Sequence, residues 1–259
     1  VNFATVKNVI NTYLYMIRIE ICTNGYQSVI NAQENGADCA ELCESLEVGG
    51  VTPSYGTLKK VAADMRIPVR VLIRPRSGNY IYNDAELEMM CIDIKLIKEL
   101  GYEGVVIGAL NENGDLDVPK IKAMMKAGEG MKFTFHRAID ACNNPLEALS
   151  TLVELGFDKV LTSGCKPKAI DGIDMIRQMQ EKFGDKIKIM AGGGVNINNV
   201  STIINETGVS NCHASLTVEV DNYNQKLYPE KVDNTGASMV WKVSSPSIIK
   251  EMLNIVKNS

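Results

Sequence analysis

At 259 residues the chain can bury one substantial core and sits near the roughly 250 residues of a (β/α)8 barrel. Hydrophobic residues make up 45% and charged residues 22%, which excludes a disordered chain. With 27 basic and 31 acidic side chains, a net charge of −4 and no basic cluster, nothing supports a nucleic-acid partner, and no apolar run approaches the roughly 18 residues of a membrane span.

Val1 to Tyr15 carries one lysine, is interrupted by Asn2, Asn8 and Asn11, and lacks a small-residue cleavage site. Residues 1–15 therefore read not as a signal peptide but as either a genuine extension or a misplaced start ahead of Met16. From there short β-branched runs alternate with helical repeats. Ile17–Cys22 is the first strand, closed by Asn24-Gly25 and followed by a helix that Gly36 caps. Ala40–Cys43 is the second strand, and Pro53-Ser54 opens the next helix. Val69–Ile73 is the third strand, with Asp84 as N-cap of a long helix to Leu100. Gly104–Ile107, Lys132–His136, Lys159–Thr162, Ile187–Met190 and Asn211–Ser215 supply strands four to eight, with Pro119 and Asn144-Pro145 marking helix starts between them. Thr217–Ser245 is a long polar loop of the kind that forms lids, ahead of a last helix from Pro246 to Val256.

Eight strand–helix units with no composition break predict one domain over 16–259, an α/β fold with a closed parallel sheet: a TIM-type (β/α)8 barrel. An open dinucleotide-binding sheet would carry a glycine fingerprint after its first strand, where this chain has Thr23-Asn24-Gly25. The seven cysteines, an odd number in a chain of this length, predict reduced thiols in the cytoplasm and not a disulfide framework. The expected partner is a metal ion or a small anionic ligand, not a nucleic acid or a membrane; a homo-oligomer is left open.

Eight segments, IEIC (Ile19–Cys22), GAD with AELC (Gly36–Cys43), GGVTPSYG (Gly49–Gly56), IPVRVLIRPRSGNYIY (Ile67–Tyr82), FTFHRAID (Phe133–Asp140), LTSG (Leu161–Gly164), MAGGGV (Met190–Val195) and CHAS (Cys212–Ser215), occur in an order that resembles the copper homeostasis CutC family. The resemblance runs from about Met16 to Ser215 and implies a barrel fold, a cytosolic location and a link to copper handling. It also implies copper(I) as ligand, held by Cys22 and Cys43. Cys39 stands where the family carries an arginine, and Leu216-Thr217 replaces a second one, which implies a changed ligand or affinity if those arginines bind an anion.

Strand alternation adds a physical reading. Glu20 and Cys22 share one face of the first strand; Cys39, Glu41 and Cys43 share one face of the second. Charged residues suit a barrel lumen better than the apolar layer under the helices, so both cysteines face the lumen near the strand C-termini, where barrel sites form. Neighbouring strands are about 4.8 Å apart, so two thiolates reach one ion, and closure brings His213 toward Cys22 as a further candidate ligand. Cys39 lies about 13 Å below Cys43 and fills space. Few soft ligands select copper(I), whereas zinc takes four. The same thiols can simply pack, as buried cysteines often do.

Two other clusters point to an enzyme acting on a small anionic, even phosphorylated, substrate: a lyase or isomerase. The Gly192-Gly193-Gly194 turn after strand seven, with Asn196 capping the next helix and Ser163-Gly164 after strand six, suits a phosphate, although glycines there also make plain tight turns. Arg74 and Arg76 form a candidate anion clamp, and His136 with Glu20 or Glu41 a candidate acid–base pair near Arg137 and Asp140. A charge-balanced lumen uses the same residues merely to satisfy one another.

Overall fold

The computed structural model describes residues 17–220, 230–236 and 238–258. The expected extension at 1–15 lies outside the described residues, as do positions 221–229 and 237 of the polar segment.

Eight strands close into a parallel barrel in sequence order: β1 (Arg18–Asn24), β2 (Cys39–Cys43), β3 (Val69–Leu72), β4 (Gly104–Ile107), β5 (Lys132–Phe135), β6 (Lys159–Thr162), β7 (Lys188–Gly192) and β8 (Asn211–Ala214), with β8 paired to β1. The helices α1 (Tyr26–Glu34), α2 (Tyr55–Asp64), α3 (Asp84–Glu99), α4 (Val118–Ala127), α5 (Pro145–Leu155), α6 (Ile173–Phe183) and α7 (Val200–Thr207) follow the first seven strands in turn, and α8 (Pro246–Lys257) ends the described chain. The architecture is the expected (β/α)8 barrel. Among the described residues, no helix is long and apolar enough to cross a membrane.

Local chemistry sets most helix starts. The Ser54, Asn83 and Asn144 side chains accept from backbone N–H groups three residues on, and Gly156 ends α5 in the left-handed region. Two expected caps are corrected. Asn83, not Asp84, caps α3, because Asn83 and Glu86 exchange reciprocal bonds and Asp84 becomes the first helical residue. Asn196 caps nothing: α7 starts four residues later, after Asn199, while Asn196 donates to Gly194 and accepts from the Asn198 amide within the loop.

The pleat divides the side chains into two environments. Ile19, Ile21, Leu42, Ile107 and Phe135 lie fully buried in the layer beneath the helices, each contributing about 1.5–3 kcal/mol. The alternate positions face the lumen, whose lower half is ionic. Lys159 reaches Glu20 at 2.6 Å, and Arg70 bonds Asp158 at 2.7 Å and Thr134 at 2.6 Å. Above that layer, Cys22, Cys43, Leu72 and Val106 form a separate small cluster.

Part of the polar segment after β8 is ordered as a ribbon. β9 (Thr217–Val220) pairs antiparallel with β10 (Trp241–Ser244), Thr217 opposite Ser244. The ribbon is tied to α1: the Ser244 amide donates to Ser28 Oγ at 3.1 Å and Asn31 donates to the Ser244 carbonyl at 2.8 Å.

Candidate metal centre

The carboxyl ends of the strands surround a cavity of about 320 Å³ lined by Cys22, Glu41, Cys43, Arg74, His136 and His213, among others. Its sulfur end follows from register. Cys22 lies opposite Glu41, and Cys43 lies opposite Asn24, one pleat higher. The two sulfurs meet diagonally, 3.9 Å apart, and Cys22 Sγ donates to Glu41 Oε2 at 3.4 Å. Cys22, Glu41 and Cys43 each place one ligand atom within 4.8 Å of the others. With metal–sulfur bonds of about 2.3 Å, sulfurs in a trigonal site lie about 4.0 Å apart and in a linear site about 4.6 Å, so the observed spacing matches the trigonal value and would open by about 0.7 Å around an ion held by the two sulfurs alone.

His213 does not join that group. On β8 it is level with Glu20, one pleat below Cys22, and its Nε2 lies 2.9 Å from Glu41 Oε2 and 3.9 Å from Glu20. The third group within reach of both sulfurs is therefore Glu41, which the sequence presented only as an acid–base partner for His136. Its signal was there: Glu41 alternates with Cys43 on β2, but the β1–β2 register was needed to set it opposite Cys22.

The cluster is electrostatically coupled. The hydrogen bond with Cys43, burial and the nearby Cys43 and Glu41 charges push the Cys22 thiol well above its ordinary range. Cys43 receives a favourable hydrogen bond from Cys22, yet burial and Glu41 outweigh it and raise this thiol as well. Burial works against the His213 cation, but its contacts with Cys22 and Glu41 outweigh it and raise the imidazole well above its ordinary range. Beneath, burial works to raise the Glu20 carboxyl, and Lys159, His213 and Arg70 overcome it and keep it ionised. Burial and Glu20 push Cys39 up to about 12, and its Sγ faces Glu20 Oε2 at 3.5 Å, clear of the thiol pair.

The remaining expected site residues separate. Glu20 is locked to Lys159 below the mouth and does not line the cavity, so it cannot serve His136 as an acid–base partner. Arg74 lines the cavity, whereas Arg76 turns away to Glu86 at 2.5 Å, and the two form no clamp. Both lie past the end of β3, where strand alternation no longer decides direction. Ser163 is consumed by Asp140 and Arg137, and Gly164 packs against Gly172. Gly193 and Gly194 line the cavity; Gly192 and Gly164 do not. His136 is a wall residue whose Nδ1 accepts from the Ala138 amide at 3.1 Å. Burial and Arg74 push its pKa down to about 3, so it is neutral. Tyr80, absent from the sequence expectations, packs against both Arg74 and His136.

Fold and site together define a (β/α)8 barrel protein with a buried thiol pair and carboxylate at the mouth formed by the carboxyl ends of its strands. The CutC family model matches residues 17–218, and the chain belongs to the CutC family. The Homo sapiens copper homeostasis protein cutC homolog is 42% identical over 197 residues, 76% of this chain and 72% of that protein. A CutC family protein of Pasteurella multocida (strain Pm70) is 43% identical over 199 residues, covering 77% of this chain and 82% of the relative. A crystal structure of a copper homeostasis protein CutC from Streptococcus agalactiae superposes with a TM-score of 0.73 at 35% identity, over 77% of this chain and 99% of that one. N-(5'-phosphoribosyl)anthranilate isomerase from Pyrococcus furiosus, with a TM-score of 0.54 at 16% identity over 94% of this chain and 100% of its own, is alike in fold alone.

Proposed function

We propose that this protein binds copper(I) in the cytoplasm through Cys22 and Cys43 as part of copper handling. The observation that carries the reading is the 3.9 Å separation of two lumen-facing sulfurs with no disulfide between them. Two thiolates suit a soft monovalent ion that is content with two or three ligands. The Glu41 carboxylate is a harder donor, and before loading it accepts the hydrogen bond of the Cys22 thiol. Binding exchanges two S–H protons for one copper(I) ion, leaving a bis-thiolate complex with one net negative charge. The protonated His213 beside Glu41 offsets that charge in a buried setting.

The test is a competition titration of reduced protein against a chromophoric copper(I) chelator. Wild type is expected to take up one ion per chain, and the Cys22→Ser/Cys43→Ser double variant to lose at least about a hundredfold in affinity. A double variant that holds copper(I) as tightly as wild type would sink the reading.

A further inference from the structure

The thiol pair occupies one end of a much larger cavity, and the opposite wall carries chemistry that a metal ion does not use. Arg74 is only 5% exposed and, among the described residues, has no carboxylate within ion-pair distance. Its Nη1 donates to the carbonyls of Val48 and Gly50, its Nη2 to that of Gly78, and its Nε has no partner. A buried guanidinium without a counter-charge is costly, and three carbonyl dipoles offset only part of that cost. Beside it, His136 is also 5% exposed. Because its Nδ1 accepts from Ala138, the ring proton sits on Nε2, which likewise has no partner. Tyr80 packs on both, 5.4 Å from the guanidinium carbon and 4.8 Å between ring centroids. Arg74 and the neutral His136, which both line the cavity, thus each hold one buried ring or guanidinium nitrogen without a partner, in the field of a fixed positive charge.

We propose that this wall is a binding site for a small aliphatic carboxylate, recognised by Arg74 and His136 once the Tyr80 ring turns aside. Two single donors match the two oxygens of one planar carboxylate. A phosphate dianion fits worse, since three of the five Arg74 N–H groups are already committed to carbonyls and the cavity also holds Glu41 and the sulfurs. The remaining lining, with Leu46, Leu72, Leu161 and Val195, accommodates a short apolar body. This site differs from the phosphate loop expected at Gly192–Gly194 and uses neither sulfur, so it stands independently of copper binding.

The experiment uses reduced, copper-free full-length protein labelled with 15N-histidine, in which the sequence has only two histidines to observe. The probes are 4-methylpentanoate and inorganic phosphate; the His136→Gln variant assigns the His136 signal. Titration with 4-methylpentanoate is expected to shift the His136 Nε2–H resonance saturably, and calorimetry to show at least about fivefold weaker binding in Arg74→Gln and in His136→Gln. The second variant matters because Arg74→Gln also frees three loop carbonyls and can disturb folding, whereas His136→Gln keeps that anchor. An unmoved His136 resonance in wild type, unchanged affinity in His136→Gln, or phosphate binding more tightly than the carboxylate overturns the proposal. Copper(I) titration of the same samples reads the sulfurs alone, so failure of one site is distinguishable from failure of the other.

Discussion

Glu20 on β1 and Lys159 on β6 meet across the barrel lumen at 2.6 Å, although neither strand pairs with the other. Both side chains are almost wholly buried, so each charge depends on its partner. Lys159→Met should destabilise the protein by roughly 3–5 kcal/mol, with much of that recovered in Glu20→Leu/Lys159→Met. Urea unfolding measures both. A single variant within about 1 kcal/mol of wild type would show that the pair is dispensable.

Copper(I) affinity should rise steeply with pH. Both thiols have raised pKa values and carry their protons near neutrality, so loading the site releases two. The apparent affinity is then expected to rise about a hundredfold per pH unit between roughly pH 6 and 8, after correction for the chelator. A slope of tenfold or less would mean that one sulfur is already ionised.

Glu41→Gln should lower the pKa of His213. Burial favours the neutral ring, and the Glu41 carboxylate at 2.9 Å is among the charges that oppose it. Histidine NMR across a pH series reads the change directly. An unaltered His213 titration would assign its protonation to the sulfur or to Glu20 instead.

His136 predicts acid sensitivity of a particular sign. Its folded pKa of about 3 lies below the ordinary 6.5, so between those values the unfolded chain binds a proton that the native one does not. Its contribution is fully present above pH 6.5 and is lost as pH falls toward 3, at roughly 1.4 kcal/mol per unit. His136→Gln should flatten the stability profile over that window. Parallel wild-type and variant profiles would refute the assignment.

Gly50 is a further sensitive point. Its φ is +85°, and an added Cβ would lie 2.8 Å from Leu72 Cδ2 and 3.6 Å from Cys43 Sγ. Gly50→Ala should cost about 1–3 kcal/mol and weaken copper(I) binding by moving Cys43. Gly56, in α2 with open space around it, is the control: Gly56→Ala should be neutral or stabilising in the same thermal melts.

The barrel was legible because its period-two runs, turn residues and helix repeats all agree, and the eight strand positions fall within two residues of those expected. Register was not legible. A period-two pattern is unchanged by a shift of two residues, so nothing in the chain said that Cys22 faces Glu41 while His213 sits one pleat lower. Direction was also lost beyond strand ends, which is why Arg74 and Arg76 looked alike and yet separate. Tyr80 lies inside the Ile67–Tyr82 segment, but no periodicity aims its ring; only the folding back of its loop brings it to Arg74 and His136.

The carbonyls that converge on Arg74 come from two successive rim loops, Val48 and Gly50 from the one after β2 and Gly78 from the one after β3. One side chain therefore rivets those loops together. That quadrant of the rim is tied into a single panel, with the Tyr80 ring laid over the side chain that fastens it.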